Sequence, residues 1–453
     1  MKSSPILLVI ILILLARVPS MAENKIDFAT VDRLTYKYYN EKKWDSVIMI
    51  GKQALSHDID YYYLRVRMGI AYFEKAKYFQ AATHFKKARQ FNSGDAFVAD
   101  YLYRSFVYTN RNEEARTLRS DMRPEEQDTT LLSHGLLEHV HFETGYTISS
   151  EKAPEKLGPQ VGNDSIYREQ DLYGNYFYTN FGLKLSVSNR VGLSLAYNYL
   201  NFGKTKYIQY GRGEDYLQSD DTSFKYHVVQ HEAYISAKVF LPWGIKIMPA
   251  FHLLYDSYPV FSNSNSLLKG NDTSFNNYLA ALDVSKDMGR FNFVVHGSWS
   301  NLNNNKQKQI GLSLTYFPLG NLNFYGTSTV TAFFQGKEKR LLFSQILGTK
   351  ITPWMWGEVN FYSGNYSHAN IFNGSIVYNN SDIINYRGGA TLVFIVGNHV
   401  RLSLIYQYLR KESQQLYYIK TQDQVTKEKI EIQQIKNNPY NTNTIIGGIT
   451  WKL

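Results

Sequence analysis

Along residues 136–453, apolar side chains recur at every second position, with small or polar residues between them. Val191, Leu193, Leu195, Tyr197 and Tyr199 alternate with Gly192, Ser194, Ala196 and Asn198. Phe181, Leu183, Leu185 and Val187 repeat the rhythm around Gly182, Lys184 and Ser186, and Ile310, Leu312, Leu314 and Tyr316 repeat it around Gly311, Ser313 and Thr315. Val400, Leu402, Leu404, Tyr406 and Tyr408 do so again near the end. Strand side chains alternate faces with period two, so each segment has one apolar and one polar face. The pattern predicts about fourteen strands: 136–149, 172–187, 191–204, 223–241, 245–257, 273–286, 290–301, 305–317, 321–334, 338–350, 354–364, 383–396, 399–411 and 441–453.

Their connections are lopsided. Tight turns stand at 188–190, 242–244, 287–289, 318–320, 352–353 and 397–399. The connections of the other parity include long polar stretches at 150–171, 205–222, 258–272, 365–382 and 412–440. An even number of alternating strands with short turns at one end and long loops at the other predicts a closed antiparallel transmembrane β-barrel, apolar outside and polar inside. The long loops are expected outside the cell and the turns in the periplasm. Aromatics agree, with Tyr197, Tyr199, Tyr255, Tyr406 and Tyr408 toward the loops. Trp243, Tyr316, Phe317, Trp354 and Trp451 stand toward the turns, as two interfacial girdles require.

Residues 28–122 follow a different period. Gly69, Tyr72, Ala81, Phe85 and Ala88 fall on two successive helices. Leu102, Phe106 and Ala115 take corresponding places thirty-four residues later, and Tyr38, Trp44 and Ala54 thirty-four residues earlier. A helix–turn–helix unit of this length resembles the tetratricopeptide repeat. The fold class is therefore a short α-helical module followed by a barrel of about fourteen strands. The resemblance implies a groove lined by the first helix of each pair: Tyr63, Val66, Ile70 and Phe73, then Phe97, Asp100, Arg104 and Val107.

The first residues change the picture of compartment. Lys2, the apolar run Ile6–Leu15 and Ser20–Met21–Ala22 read as a cleavable export signal over 1–22, ahead of the module at 23–122, a linker at 123–135 and the barrel at 136–453. With no cysteine among 453 residues, thiolate chemistry and disulfides are excluded. A net charge of +10 is spread over loops and helices rather than gathered in a stripe with interleaved aromatics, which argues against nucleic acid. The expected partners are outer-membrane lipid, a periplasmic protein at the helical module, and glycan or lipopolysaccharide.

No phosphate loop, zinc helix or nucleophile elbow is present, and no cofactor is expected. Parity places Lys184, Glu232, Lys238, Lys246, His252, Asp283, His296, Glu358, Arg387 and Arg401 toward the lumen. With both signs present, these residues either form a salt-bridged interior that closes the pore or a field that selects solutes. His139, His141 and Glu143 share the inward face of the first strand and could ligate a metal, although lining a polar lumen is the commoner role of such residues.

Signal, helical repeats and barrel together resemble the YaiO-like outer-membrane proteins and, more distantly, the exporters of exopolysaccharide. The resemblance rests on architecture and on Gly69, Tyr72, Ala81, Phe85 and Ala88. It implies transport or export of a glycan or small solute. The alternative is a non-conducting anchor that presents the repeats or the loops to other proteins.

Overall fold

The computed structural model describes residues 26–122, 131–132, 135–151, 165–212, 218–264, 267–422 and 429–453. The expected export signal, most of the expected linker and much of the 150–171 connection lie outside these residues. Six helices come first: α1 (Phe28–Asn40), α2 (Trp44–Ser56), α3 (Tyr62–Glu74), α4 (Tyr78–Phe91), α5 (Ala96–Tyr108) and α6 (Asn112–Ser120). The first helix of each pair begins thirty-four residues after the last, at 28, 62 and 96, and so does the second, at 44, 78 and 112. The turns within the pairs repeat as well, with positive φ at Lys42, Ala76 and Asn110.

Small residues set this stacking. A Cβ at Gly69 would lie 2.5 Å from the Phe85 ring, so the glycine is what lets α3 and α4 approach. Ala81 and Ala88, both fully buried, do the same from α4, and Met68, Phe85, Leu102 and Phe106 fill the space between helices. Asp27 and Asp95 cap α1 and α5 by accepting from the Thr30 and Val98 amides at 2.7 and 3.0 Å.

The remainder is a closed barrel of fourteen antiparallel strands. They are β1 (Leu137–Ser149), β2 (Ser165–Ser188), β3 (Val191–Arg212), β4 (Gln218–Phe240), β5 (Ile245–Ser264), β6 (Leu267–Met288), β7 (Phe291–Ser300), β8 (Gln307–Tyr316), β9 (Phe324–Gln335), β10 (Glu338–Thr352), β11 (Met355–Ser363), β14 (Ile383–Val396), β15 (Val400–Gln422) and β16 (Lys429–Lys452). The last strand closes on the first, from His139 opposite Lys452 to Ser149 opposite Thr442. Between β11 and β14 a two-stranded hairpin, β12 (Asn370–Ile371) and β13 (Ile376–Val377), forms a separate small sheet.

Parity places Phe142, Phe181, Leu193, Leu253, Leu282, Leu312, Val359, Leu404 and Ile445 outward, and most of them are solvent-exposed. Such a belt on a closed barrel is built for lipid and is the outer-membrane class of fold. No helix among the described residues is long and apolar enough to cross a membrane, which says nothing about strands.

The structure corrects three of the expected loops. The stretches 205–222, 258–272 and 412–440 are largely strand: β3 and β4, β5 and β6, and β15 and β16 run on as paired ribbons as far as Arg212 opposite Gln218, Ser264 opposite Leu267 and Gln422 opposite Lys429. A bilayer needs only about 9–11 residues of strand, whereas β3 has 22. Beyond the lipid the outer face meets water, so the aliphatic signal that marks a strand in sequence disappears while the backbone ladder continues. Above the end of β1, the freed edge of β2 pairs with β15, from Gln170 opposite Gln415 to Ser165 opposite Ile419.

Candidate functional site in the barrel lumen

The turn end of the barrel is covered by the helical module. The α4 start docks on the β8–β9 turn: the Phe79 amide donates to Gly320 O at 3.0 Å and its ring stacks on Phe317 at 4.3 Å. Asn321 Nδ2 donates to Ala76 O at 2.8 Å. Phe317, expected in the lipid girdle, is thus a docking residue, because it sits in the turn itself rather than on the outward face of a strand.

Helix α6 supplies the charged part of the contact. Glu113 pairs with Lys238 at 2.9 Å. Glu114 pairs with Arg111 at 2.5 Å and Lys86 at 2.9 Å, with Lys246 at 3.8 Å. Arg111 lies 3.4 Å from Asp287, which Lys246 also contacts. Arg116 pairs with Glu138, and Lys184 joins Glu138 at 3.2 Å. Burial opposes ionisation of Glu113, but Lys238 outweighs it and holds the carboxyl below its ordinary range. Burial likewise opposes Glu114, and Arg111 and Lys86 outweigh it. Burial, with Arg111 alongside, lowers the Lys86 ammonium.

The lumen is filled from the opposite end. The connection 365–382, expected outside the cell, descends into the barrel along β5 instead, as part of an insert running over 364–382. Asn379 Nδ2 donates to Asp256 at 2.7 Å, His252 Nδ1 meets Gly374 O at 2.7 Å, and Asn373 Nδ2 donates to Met248 O at 2.9 Å. Its tip turns on Phe372, Asn373 and Gly374, all with positive φ. Gly374 is packed against the Leu279 side chain, so the position tolerates neither the φ nor the bulk of another residue. Between Gly364 and Asp382 the insert has no Asp, Glu, Lys or Arg, which is what allows it to enter without burying charge.

The lumen candidates divide among these structures. Lys184, Lys238 and Lys246 belong to the network with the helices. Glu232 accepts from Asn198 at 2.6 Å and from Gln230, and faces His252 at 3.3 Å; His252 is fully buried beneath the insert. Glu358 accepts from the Tyr325 hydroxyl at 2.6 Å. Arg387 donates to the Tyr378 hydroxyl at 2.6 Å and lies over the Tyr362 ring. Arg401 is exposed, opposite Thr450 in register.

Asp283 and His296 stand apart, lining a cavity of about 220 Å³ between β6–β11 and the insert. Its wall carries hydroxyl rungs, with Ser313 and Thr329 bonded at 2.8 Å, Thr315 and Thr327 at 2.8 Å, and His296 to Thr331 at 2.9 Å. His139, His141 and Glu143 do not converge: the two imidazoles are 6.3 Å apart and His141 lies over Gly182. Among the described residues no group of three His, Asp or Glu is placed to hold a metal ion.

Of the groove residues, Tyr63 and Phe97 are exposed at equivalent repeat positions. Val66 is half-buried, and Phe73 packs among Tyr78, Tyr101 and Tyr108. Asp100 and Arg104 pair with each other at 2.9 Å. Ile70, expected in the groove, is instead buried in the helical core at 4% exposure, among the small and aromatic residues that stack the helices. The periodicity missed the charged contacts of Lys86, Arg111, Glu113, Glu114 and Asp287. A signal was present in α6, whose sequence Asn-Glu-Glu-Ala-Arg-Thr-Leu-Arg-Ser is polar nearly all round, as a helix bridging two bodies is.

No family profile and no curated relative matches the chain. Among solved structures it is similar to the Pseudomonas putida toluene transporter TodX, with 7% identity over 71% of this chain and 90% of that one and a TM-score of 0.37. It is also similar to a Pseudomonas aeruginosa FadL homologue, with 8% identity over 77% and 94% and a TM-score of 0.38. The Acinetobacter baumannii outer membrane protein Omp33 matches with 9% identity over 71% and 100% and a TM-score of 0.32. These are likenesses of outline, and no residue is carried over from them.

Proposed function

We propose that the chain is an outer-membrane transport barrel for a glycan or small solute, with its helical module in the periplasm closing the turn-side mouth. The observation that carries this is the insertion of Glu113 and Glu114 between the lumen cations Lys238 and Lys246. A seal made of ion pairs separates without unfolding either body, because each charge regains water when the contact opens. The thirty-four-residue period supports reading the module as tetratricopeptide-like, and the exposed Tyr63 and Phe97 are the side chains that a periplasmic protein would meet.

Conductance across planar bilayers tests the reading. The parent protein should open only intermittently, and a Glu113→Gln, Glu114→Gln double variant should open more often. The insert at 364–382 favours a second reading, a non-conducting anchor that presents the helices. That reading prevails if both proteins stay silent and neither lets small solutes into liposomes.

A further inference from the structure

We propose that the cavity between the insert and strands β6–β11 is a binding site for a small, uncharged polyhydroxy compound of monosaccharide size. Three polar atoms carry the argument: Asp283 Oδ1, the Tyr362 hydroxyl and Asn373 Oδ1 are buried without a hydrogen-bond partner. All three residues line this one cavity, and Tyr362 and Asn373 are 2% and 9% exposed. Buried polar groups in proteins are otherwise nearly always paired, so three orphans around one space mark where a partner belongs.

Their chemistry selects that partner. Two of the atoms are acceptors and demand donors, while the Tyr362 hydroxyl needs an acceptor. An alcohol satisfies both kinds at once. No Lys or Arg lines the cavity and the Asp283 carboxyl does, so a phosphate or carboxylate would find no cation to offset its charge. An apolar guest would leave every orphan unpaired. The rungs of Ser313, Thr315, Thr327 and Thr329 already bond in pairs and leave a neutral hydroxyl wall. A water takes about 30 Å³ of liquid volume, so about 220 Å³ accommodates a six-carbon sugar unit rather than an oligomer. Asn373 comes from the insert, so the site is complete only when the insert is seated.

The site does not depend on conduction, which lets the two readings fail separately. The intact protein, in a detergent without a sugar head group, is titrated calorimetrically with D-glucose, N-acetyl-D-glucosamine and D-glucosamine. At least one uncharged sugar should bind saturably at one site per chain. Tyr362→Phe should weaken it by about tenfold, the effect of one lost hydrogen bond. Because that hydroxyl has no partner to lose, the thermal midpoint of the variant should be unchanged or higher. Failure of both uncharged sugars to bind, binding unchanged by Tyr362→Phe, or binding of D-glucosamine alone each overturns the inference. A silent barrel that binds sugar would keep this site and lose the transport reading; a conducting barrel that binds none would do the reverse.

Discussion

At the turn end, Arg111, Glu113 and Glu114 meet Lys238, Lys246 and Asp287 in a network of buried charges. In the lumen, by contrast, the 364–382 insert brings no charged side chain between Gly364 and Asp382 and is held by single hydrogen bonds, from Asn373 to Met248 O, from Asn379 to Asp256 and between His252 and Gly374 O, and by the packing of Gly374. Both lie across the same lumen, but they respond to different disturbances. Buried charges are costly to leave alone, so the turn-end contact is sensitive to loss of any one partner and to protonation. The insert leaves no buried ion pair to break, and the close packing of Gly374 against Leu279 makes it sensitive to shape instead. A barrel closed in these two ways can have one closure released while the other stays.

The largest effect should come from breaking the charged closure at its centre. Glu114→Ala leaves Arg111 and Lys86 without their buried partner and should cost about 3–5 kcal/mol. Protease release of the helical module from the folded barrel is the measurement, with the 364–382 insert unaffected. A module equally resistant in parent and variant would show that Phe79 and Phe317, not the charges, hold it.

Acid should next distinguish the module from the barrel. His84 is buried against Tyr72 and beside Arg65, and burial, with Arg65, lowers its pKa to about 3. The folded module therefore keeps it neutral, while the unfolded chain protonates near the ordinary value of about 6.5. Stability is complete above that value and falls as the pH drops toward 3, by about 1.4 kcal/mol per unit. Helical circular dichroism of the intact protein, followed against denaturant from neutral to mildly acid pH, should show that slope. His84→Gln should flatten it, and an equal slope in the variant would remove His84 as the cause.

A third change addresses the neutral closure. Gly374→Val forces a branched residue into a positive φ against Leu279 and should cost about 1–3 kcal/mol. The insert should then become accessible to protease added at the loop end, with the helical module still docked. Release of both together would mean that the two closures are one cooperative unit.

The smallest effect lies on the exposed face of the helices. Asp100→Asn removes a surface pair spaced i,i+4 and should change stability by only about 0.3–0.5 kcal/mol. A larger loss would reveal that Asp100 and Arg104 are part of a covered interface rather than an open groove.

Much of the molecule was legible in the chain. The strand alternation around Leu193, Leu312 and Leu404 gave strands and their inward and outward faces, because a lipid-facing surface imposes a strict period of two. The spacing of Gly69, Ala81 and Ala88 gave the helical pairs, because close helix packing requires small residues at fixed offsets. What no periodicity carries is which polar residue meets which. Lys238 reads the same whether it faces water, a solute or Glu113, and only the docking of α6 over the mouth decides. The uncharged composition of 365–381 was a readable hint of an inward loop, yet its path along β5 depends on His252 and Asp256, more than a hundred residues away. Local sequence determines repeating elements and their faces because solvent and lipid act on each residue alone. The closures and the cavity were left to tertiary structure, because they depend on pairs of polar groups brought together only by folding.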